Sequence, residues 1–320
     1  MNREWILLFG GQGSQLPGMG QDLAEAYPEL SYYRGFFHKY PQYTKLFELD
    51  GAELDKTINA QVAIVLYGLS VLSILKQSKL EIGGAFGLSI GEFTALATAA
   101  VYAPEDCLDI AVARAEIMAT RLTARQAAGE LDGMLAVIGL DAVKIMELLE
   151  TEPAISPANF NDSRQTVLAG PVKELDAFRK RVLEAGAKRA IELKVEGAFH
   201  SPVFAPDVAN LAAVLKQFEA HPPALKLPLN ISGKFLEIPP STEARIYLAD
   251  IMSQQMSSPT HAAQALDNLI EVGFRNFLEI SPKPVLLPLL RRRSRELELA
   301  EIRDLNSLEN FIARMENNNE

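Results

Sequence analysis

The sequence predicts an α/β fold in which a smaller unit is inserted into a larger one. Short apolar runs that end in glycine-rich loops alternate with helical segments, which is typical of strands buried in a parallel sheet. After about residue 129 this alternation gives way to a different order of strands and helices. With 320 residues, the chain is long enough for one large domain and one small subdomain.

The first part of the large unit begins with the apolar run WILLFGG (5–11), predicted as a strand that enters a glycine-rich loop. A strongly apolar helix is predicted over 58–77. A second strand follows at GGAFGLS (83–89), with a helix behind it. The long segment 104–126 starts with a proline and acidic residues, which favour the first turn of a helix.

The inserted unit has the predicted order strand, helix, strand, strand, helix, strand. Its segments are MLAVIGL (134–140), DAVKIMELLE (141–150), AISPANF (154–160), QTVLAG (165–170), VKELDAFRKRVLEAG (172–186) and AKRAIELKV (187–195). This βαββαβ order is the ferredoxin-like pattern. We therefore predict a subdomain over 129–196, with the large domain formed by 1–128 and 197–320.

The last part of the chain returns to the large unit. LPLNISG (227–233) is predicted as a strand, 246–273 as mostly helical and FRNFLEISP (274–282) as a strand before a terminal helical region. The arginine-rich segment LLRRRSR (289–295) has two interpretations. It is either a solvated turn of the C-terminal helix or a surface that binds an acidic partner.

Composition excludes several classes of function. The single cysteine, Cys107, rules out a disulfide framework and a cysteine-rich metal cage, and the histidines are not spaced as a metal pair. A net charge of −10 argues against nucleic-acid binding. The longest apolar stretch, 63–75, is too short to cross a bilayer, and the N-terminus lacks the features of a signal peptide. We expect a soluble, cytoplasmic protein with no membrane partner and no metal.

The segment GLSIGEF (87–93) places Ser89 between two glycines where a predicted strand meets a predicted helix. G-x-S-x-G is the pattern of a nucleophile elbow, in which glycines let neighbouring chain pass closely and the serine hydroxyl is exposed. The N–H of Ile90 would then lie at a helix N-terminus, where an oxyanion is stabilised. A tight bend without chemistry is the alternative interpretation.

A serine nucleophile needs a base, and histidine is the usual one. The chain has four histidines. His38 lies among aromatic residues, His221 precedes two prolines, and His261 opens or caps a helix. His200 lies in EGAFHSP, at a strand end flanked by small residues and proline, which suits a side chain directed into a cleft. It is the first candidate, and the others stay open on composition alone.

The loop GGQGSQ (10–15) exposes backbone N–H groups and could hold a phosphate. It lacks the lysine of a P-loop, however, and its glycines do not have the spacing of a dinucleotide-binding loop. A loop that supplies a second oxyanion donor fits the sequence better.

Six motifs carry a resemblance to a known family. They are GGQGSQLPGMG, GLSIGEFTAL, ARAEIM, NFNDSRQTVLAG, EGAFHSP and SQQMSSP. In this order and spacing they resemble malonyl-CoA:acyl-carrier-protein transacylases, a family that includes the acyltransferase domains of fatty-acid and polyketide synthases. The resemblance runs from about residue 5 to 290. It implies a hydrolase-like α/β large domain with a ferredoxin-like insert.

The resemblance also implies roles for particular residues. Ser89 would be the nucleophile that accepts the acyl group, and His200 would be its base. The backbone carbonyl of Gln255 would orient the histidine in place of a third carboxylate. The backbone N–H groups of Gln12 and Ile90 would form the oxyanion hole.

Three further positions fall in the family's acyl-binding pocket, with Leu88 standing where the family often has histidine. Arg114, in ARAEIM, would hold the malonyl carboxylate, a role that suits a planar guanidinium because it can form two parallel hydrogen bonds. Leu88 and Phe199 would line the pocket. The ring of Phe199 is typical of malonyl-selective members because it would crowd a branched acyl group.

The implied activity is transfer of a malonyl group from malonyl-CoA to the phosphopantetheine thiol of an acyl carrier protein, through a malonyl-serine intermediate. No cofactor is expected beyond the phosphopantetheine carried by the partner, and the family favours monomers. Two alternatives remain. One is an acyl hydrolase of the same fold that acts on carrier-bound groups, and the other is a non-catalytic docking subunit.

Overall fold

The computed structural model describes residues 4–317 as a mixed α/β protein with two four-stranded sheets. This confirms the predicted α/β class. The strands are β1 (Trp5–Phe9), β2 (Ile82–Gly87), β3 (Asp132–Ile138), β4 (Ser156–Asp162), β5 (Gln165–Pro171), β6 (Arg189–Leu193), β7 (Asn276–Ile280) and β8 (Glu298–Ile302). The helices are α1 (Gln21–Ala26), α2 (Tyr33–Lys39), α3 (Gly51–Leu54), α4 (Thr57–Leu75), α5 (Gly91–Thr98), α6 (Pro104–Ala127), α7 (Ala142–Leu149), α8 (Val172–Glu184), α9 (Val208–Leu215), α10 (Ala244–Gln254), α11 (Ala262–Glu271), α12 (Leu287–Leu290) and α13 (Leu305–Asn317).

The first sheet is parallel, with strand order β2-β1-β7-β8. All five side chains of β1 are buried, and they alternate between two apolar clusters. Leu7 and Phe9 pack into the large core that contains α4, whereas Ile6 and Leu8 pack into a second cluster with α11. Helices therefore cover both faces of this sheet, which explains why β1 is apolar throughout rather than alternating. The loops that follow β1 and β2 leave the sheet side by side.

The second sheet is antiparallel, with strand order β4-β5-β3-β6. Helices α7 and α8 pack on one face through residues such as Ile145 and Phe178. The opposite face contributes Met134, Ala136 and Val167 to the large core. The order of elements between β3 and β6 is the βαββαβ order that the sequence predicts. One face of this sheet therefore forms a wall against the parallel-sheet unit.

The prediction of a strand at 227–233 is wrong. Within the described chain this segment makes only isolated bridges and folds back on itself, with Leu229 N donating to Lys234 O and Gly233 N donating to Leu229 O. Pro228 has no N–H to give to a ladder, and Gly233 adopts a φ of 68° that reverses the chain. The segment forms a turn beside β2.

The prediction of a helical region after residue 282 is correct only in part, because a strand, β8, lies between helices α12 and α13. Strand β8 pairs in parallel with β7 along its whole length. Its sequence, ELAEI, consists of residues that favour a helix. Pairing with the buried strand β7 overrides this helix preference. The arginines of 291–295 lie in turns after α12 rather than in a C-terminal helix.

Helix α4 is long and apolar enough to cross a membrane, as judged by length and composition alone. In the fold, 83% of its most apolar window is buried inside the protein. It packs against α5 and α6 in the large core, as expected for the buried helix that the sequence predicts over 58–77.

Candidate active site

Ser89 lies in the turn between β2 and α5, where its backbone adopts a left-handed φ of 53°. The two flanking glycines are required by close backbone contacts. A Cβ on Gly87 would overlap the carbonyl of Gly91, and a Cβ on Gly91 would lie 2.5 Å from the carbonyl oxygen of Gly10. The strand-to-helix turn that the sequence predicts is therefore so tight that only glycine fits on either side of the serine.

The structure brings Ser89 and His200 together across 111 positions of sequence. Ser89 Oγ lies 2.7 Å from His200 Nε2, and His200 Nδ1 lies 2.9 Å from the carbonyl oxygen of Gln255. Because a carbonyl oxygen only accepts, Nδ1 carries the proton and Nε2 is free to accept one from the serine. Burial, reinforced by the charge of Arg114, lowers the pKa of His200 to about 4. The imidazole is therefore neutral near pH 7, as a base must be.

Gln12 and Ile90 line the cleft that contains Ser89. Within residues 4–317 neither backbone N–H donates a hydrogen bond. The side-chain amide of Gln12 donates to Thr57 Oγ1 at the start of α4, and the N–H of Leu88 donates to the carbonyl of Phe9, which ties the loop after β1 to the turn of Ser89. Ile90 immediately precedes α5, whose dipole favours negative charge at this end. The arrangement suits an oxyanion hole.

Arg114 projects from α6 into the same cleft and is only 1% exposed. Its Nη1 donates to Gln61 Oε1 at 2.5 Å, and its Nη2 donates to Gln255 Oε1 at 2.9 Å. Its Nε is buried and has no acceptor among the described residues. Burial lowers the pKa of Arg114 to about 10, and the nearby carboxylate of Glu92 opposes that shift. The guanidinium thus stays charged near pH 7 and keeps donors for a further partner.

The cleft has a volume of about 360 Å³ and lies between the two sheets. Leu88 and Phe199 line it, as the family pattern implies, and Phe199 stacks on Phe204 with ring centroids 5.9 Å apart. The antiparallel sheet supplies much of the opposite wall through Met134, Ala136, Val167 and Leu193. Those four side chains are apolar, but Asn159, Asn161 and Gln165 of the same sheet also line the cleft, as do the polar side chains of Ser89, His200 and Arg114.

Three residues of the site are missing from the sequence prediction, namely Glu92, Asn230 and Gln61. Glu92 is a lone acid in the otherwise apolar segment GEFTALAT, which was an available signal of a buried carboxylate with a specific role. Asn230 lies in the turn that was wrongly predicted as a strand. Gln61 reads as one polar position in an apolar helix, and nothing in the sequence relates it to Arg114.

A metal site is not part of this arrangement. The part of the chain covered by the structure contains no group of three or more His, Cys, Asp or Glu side chains that could hold a metal ion. The expected absence of a cofactor stays a prediction.

A part-buried serine in hydrogen-bond contact with a buried histidine, with an arginine in the same cleft of an α/β fold, is the arrangement expected of an enzyme that transfers acyl groups. Comparison with known families gives the same result. The family model of the acyl transferase domain matches residues 42–318. The chain belongs to this family and is an acyltransferase.

Individual relatives are similar over nearly the whole chain. The malonyl CoA-acyl carrier protein transacylase of Bacillus subtilis (strain 168) is 30% identical and covers 98% of each chain, and that of Staphylococcus aureus (strain MRSA252) is 27% identical, covering 95% of this chain and 97% of its own. Among solved structures, MCAT from Streptococcus pneumoniae has a TM-score of 0.84 at 27% identity and covers 97% of this chain and 100% of its own. A malonyl-transacylase in complex with a type II PKS acyl-carrier protein has a TM-score of 0.85 at 26% identity, with 97% and 99% coverage.

Proposed function

We propose that the enzyme transfers a malonyl group from malonyl-CoA to the phosphopantetheine thiol of an acyl carrier protein. The observation that carries this proposal is the 2.7 Å contact between Ser89 Oγ and His200 Nε2 in a cleft that also contains the buried guanidinium of Arg114. The curated relatives named above as malonyl CoA-acyl carrier protein transacylases support the choice of donor and acceptor.

In the first step Ser89 Oγ attacks the thioester carbonyl carbon, and its proton passes to His200 Nε2. The oxygen of the tetrahedral intermediate accepts hydrogen bonds from the N–H groups of Gln12 and Ile90. The intermediate collapses to a malonyl-serine ester, and the CoA thiolate leaves with the proton from His200. The Gln255 carbonyl, 2.9 Å from Nδ1, stabilises the imidazolium that forms between the two proton transfers.

In the second step the carrier's thiol gives its proton to His200 and attacks the ester carbonyl. The same oxyanion donors are used, and the serine leaves with the proton, so that the enzyme is regenerated. Throughout both steps the malonyl carboxylate would bind Arg114. A buried guanidinium with free donors favours a carboxylate strongly because no water competes for it.

The structure supports finer points of the same proposal. The strand order β4-β5-β3-β6 with two helices on one face is consistent with a ferredoxin-like subdomain, and a parallel sheet with a nucleophile elbow after β2 is consistent with a hydrolase-like large domain. Boundaries near residues 128 and 197 stay a prediction. We also propose a cytoplasmic location, since the single cysteine is free and buried.

The test is mass spectrometry of the intact protein after incubation with malonyl-CoA, followed by addition of a phosphopantetheinylated carrier. We expect a malonyl adduct on the wild-type chain, its absence from Ser89→Ala, and its transfer to the carrier. A wild-type chain that forms no adduct would contradict the proposal and favour a docking subunit. Free malonate that accumulates faster than malonyl-carrier would instead favour the hydrolase alternative.

A further inference from the structure

Glu92 is a buried carboxylate in the first turn of α5, 1% exposed. Both of its oxygens accept hydrogen bonds. Oε1 accepts from the backbone N–H of Asn230 at 2.7 Å, and Oε2 accepts from Gln255 Nε2 at 2.7 Å. Burial of a charge is costly, so a carboxylate kept at this position needs a specific reason.

The first of these hydrogen bonds leads to the nucleophile. Asn230 Oδ1 accepts from the backbone N–H of Ser89 at 2.9 Å, and Asn230 Nδ2 donates to the carbonyl of Gly87 at 2.6 Å. The asparagine thus holds both sides of the strained turn at Ser89. By fixing the backbone of Asn230, Glu92 fixes the side chain that maintains the left-handed backbone of the serine.

The second hydrogen bond leads to the base and to the arginine. Gln255 accepts from His200 through its backbone carbonyl and from Arg114 through Oε1. Its Nε2 donates to the carbonyl of Ser89 at 2.8 Å as well as to Glu92. Since Oε1 faces a cation and Nε2 faces two acceptors, the amide of Gln255 cannot flip without losing these contacts.

We infer that Glu92 is the positioning residue that couples the nucleophile, its base and the carboxylate-binding arginine, by accepting from Asn230 and Gln255 at the same time. Both partners are donors, so only a group that accepts at both oxygens fits. An ionised carboxylate does so, whereas a glutamine would aim a donor at a donor and a protonated carboxyl would accept only weakly at its hydroxyl oxygen. This inference rests on the proposed function only for the role of the arginine.

The same geometry makes acylation sensitive to pH. Burial raises the pKa of Glu92 to about 7, although hydrogen bonds from Asn230 and Gln255 and the charge of Arg114 on α6 lower it. Below that pH the carboxyl gains a proton, and the protonated oxygen becomes a donor and a much weaker acceptor for the N–H group that faces it. His200, with a pKa of about 4, stays neutral in this range. A loss of rate near pH 7 that is absent from Glu92→Gln would therefore report Glu92 rather than the base.

The experiment measures the burst of p-nitrophenolate when the full chain reacts with p-nitrophenyl acetate. Ser89 Oγ attacks the ester carbonyl, its proton passes to His200, and p-nitrophenolate leaves as the acetyl-serine ester forms. This reagent needs neither CoA nor Arg114. A chain that reacts with it but not with malonyl-CoA would contradict the proposed function and leave the inference standing.

At about pH 8 we expect Glu92→Gln to lower the burst rate constant about ten- to a hundredfold, because a buried donor is left unpaired. The wild-type rate should fall below about pH 7, whereas the residual rate of Glu92→Gln should stay level. The matched control is Asp132→Asn, another buried carboxylate, which binds Arg125 away from the cleft. It should lower the melting temperature and leave the burst unchanged.

A wild-type burst rate in Glu92→Gln would overturn the inference, and so would a burst that falls to the same extent in Asp132→Asn, since loss of stability would then explain both. If Glu92→Gln does not fold, the wild-type pH profile remains as the test. A profile that is level from about pH 8 to pH 5 would refute the coupling.

Discussion

The buried carboxylate of Glu92 should make the stability of the protein depend on pH in a way that Glu92→Gln removes. Burial raises its pKa from 4.5 to about 7 in the folded state. The folded protein therefore holds this proton more tightly than the unfolded chain does. The resulting stability is fully present below pH 4.5 and is lost as the pH rises from about 4.5 to about 7.

The size of the effect follows from the shift. Each pKa unit corresponds to about 1.4 kcal/mol, so the full shift is worth about 3 kcal/mol. Between about pH 5 and pH 8 the wild-type chain should lose roughly 2 to 3 kcal/mol of unfolding free energy relative to Glu92→Gln. Subtracting the unfolding free energies of the two chains cancels the contributions of titrating groups that do not interact with Glu92. Arg114, which does interact with it, stays charged over this pH range.

The assay is urea unfolding of both chains, followed by circular dichroism at several pH values across this range. With increasing pH the unfolding free energy of Glu92→Gln should rise relative to that of the wild-type chain. This change is expected whichever chain is more stable at acidic pH. Parallel curves for the two chains would refute the reasoning, because they would mean that Glu92 ionises equally easily in the folded and the unfolded states.

Three further predictions concern the cleft. Arg114→Ala should lower kcat/KM for malonyl-CoA, with a loss of transition-state stabilisation of about 2 to 5 kcal/mol, because one partner of a buried charged pair is removed. The kcat/KM for acetyl-CoA should fall much less. Equal losses for both donors would mean that the arginine only supports the fold. Gly91→Ala should lower the melting temperature strongly, because its Cβ would lie 2.5 Å from the Gly10 carbonyl oxygen, whereas Gly35→Ala, with no atom within 4 Å, should be tolerated. Ser89→Ala should release no burst of CoA from malonyl-CoA, and a surviving burst in a thiol assay would place the acyl group elsewhere.

Much of the fold can be predicted where local sequence and tertiary environment agree. Strand β1 and strand β2 are apolar runs that end in glycines, and both burial and the following turns favour the same structure. Strand β8 could not be predicted in this way because its residues favour a helix and only pairing with β7 makes it a strand. The prediction for 227–233 was wrong for the opposite reason. The apolar residues of this segment resemble those of a strand, but Pro228 and Gly233 prevent a strand from forming.

The site divides along similar lines. Ser89 is predictable because one short motif, GLSIG, indicates both the nucleophile and the tight turn that exposes it. The pairing with His200 is harder, since 111 positions separate the two residues and composition alone ranks the histidines weakly. The roles of Glu92 and Asn230 depend on hydrogen bonds between segments 138 positions apart. No local pattern encodes such a contact.

The two walls of the cleft come from separate stretches of sequence. Ser89 lies on the loop after β2 of the parallel sheet and His200 lies on the segment after β6, whereas Met134, Ala136, Val167 and Leu193 on the strands of the antiparallel sheet face them. The part of acyl-group preference that depends on this sheet can therefore diverge among descendants of one ancestor while Ser89 and His200 stay unchanged. Protein engineers have the same freedom, because reshaping those four side chains would retune which acyl chain is accommodated without altering the residues that break and form bonds.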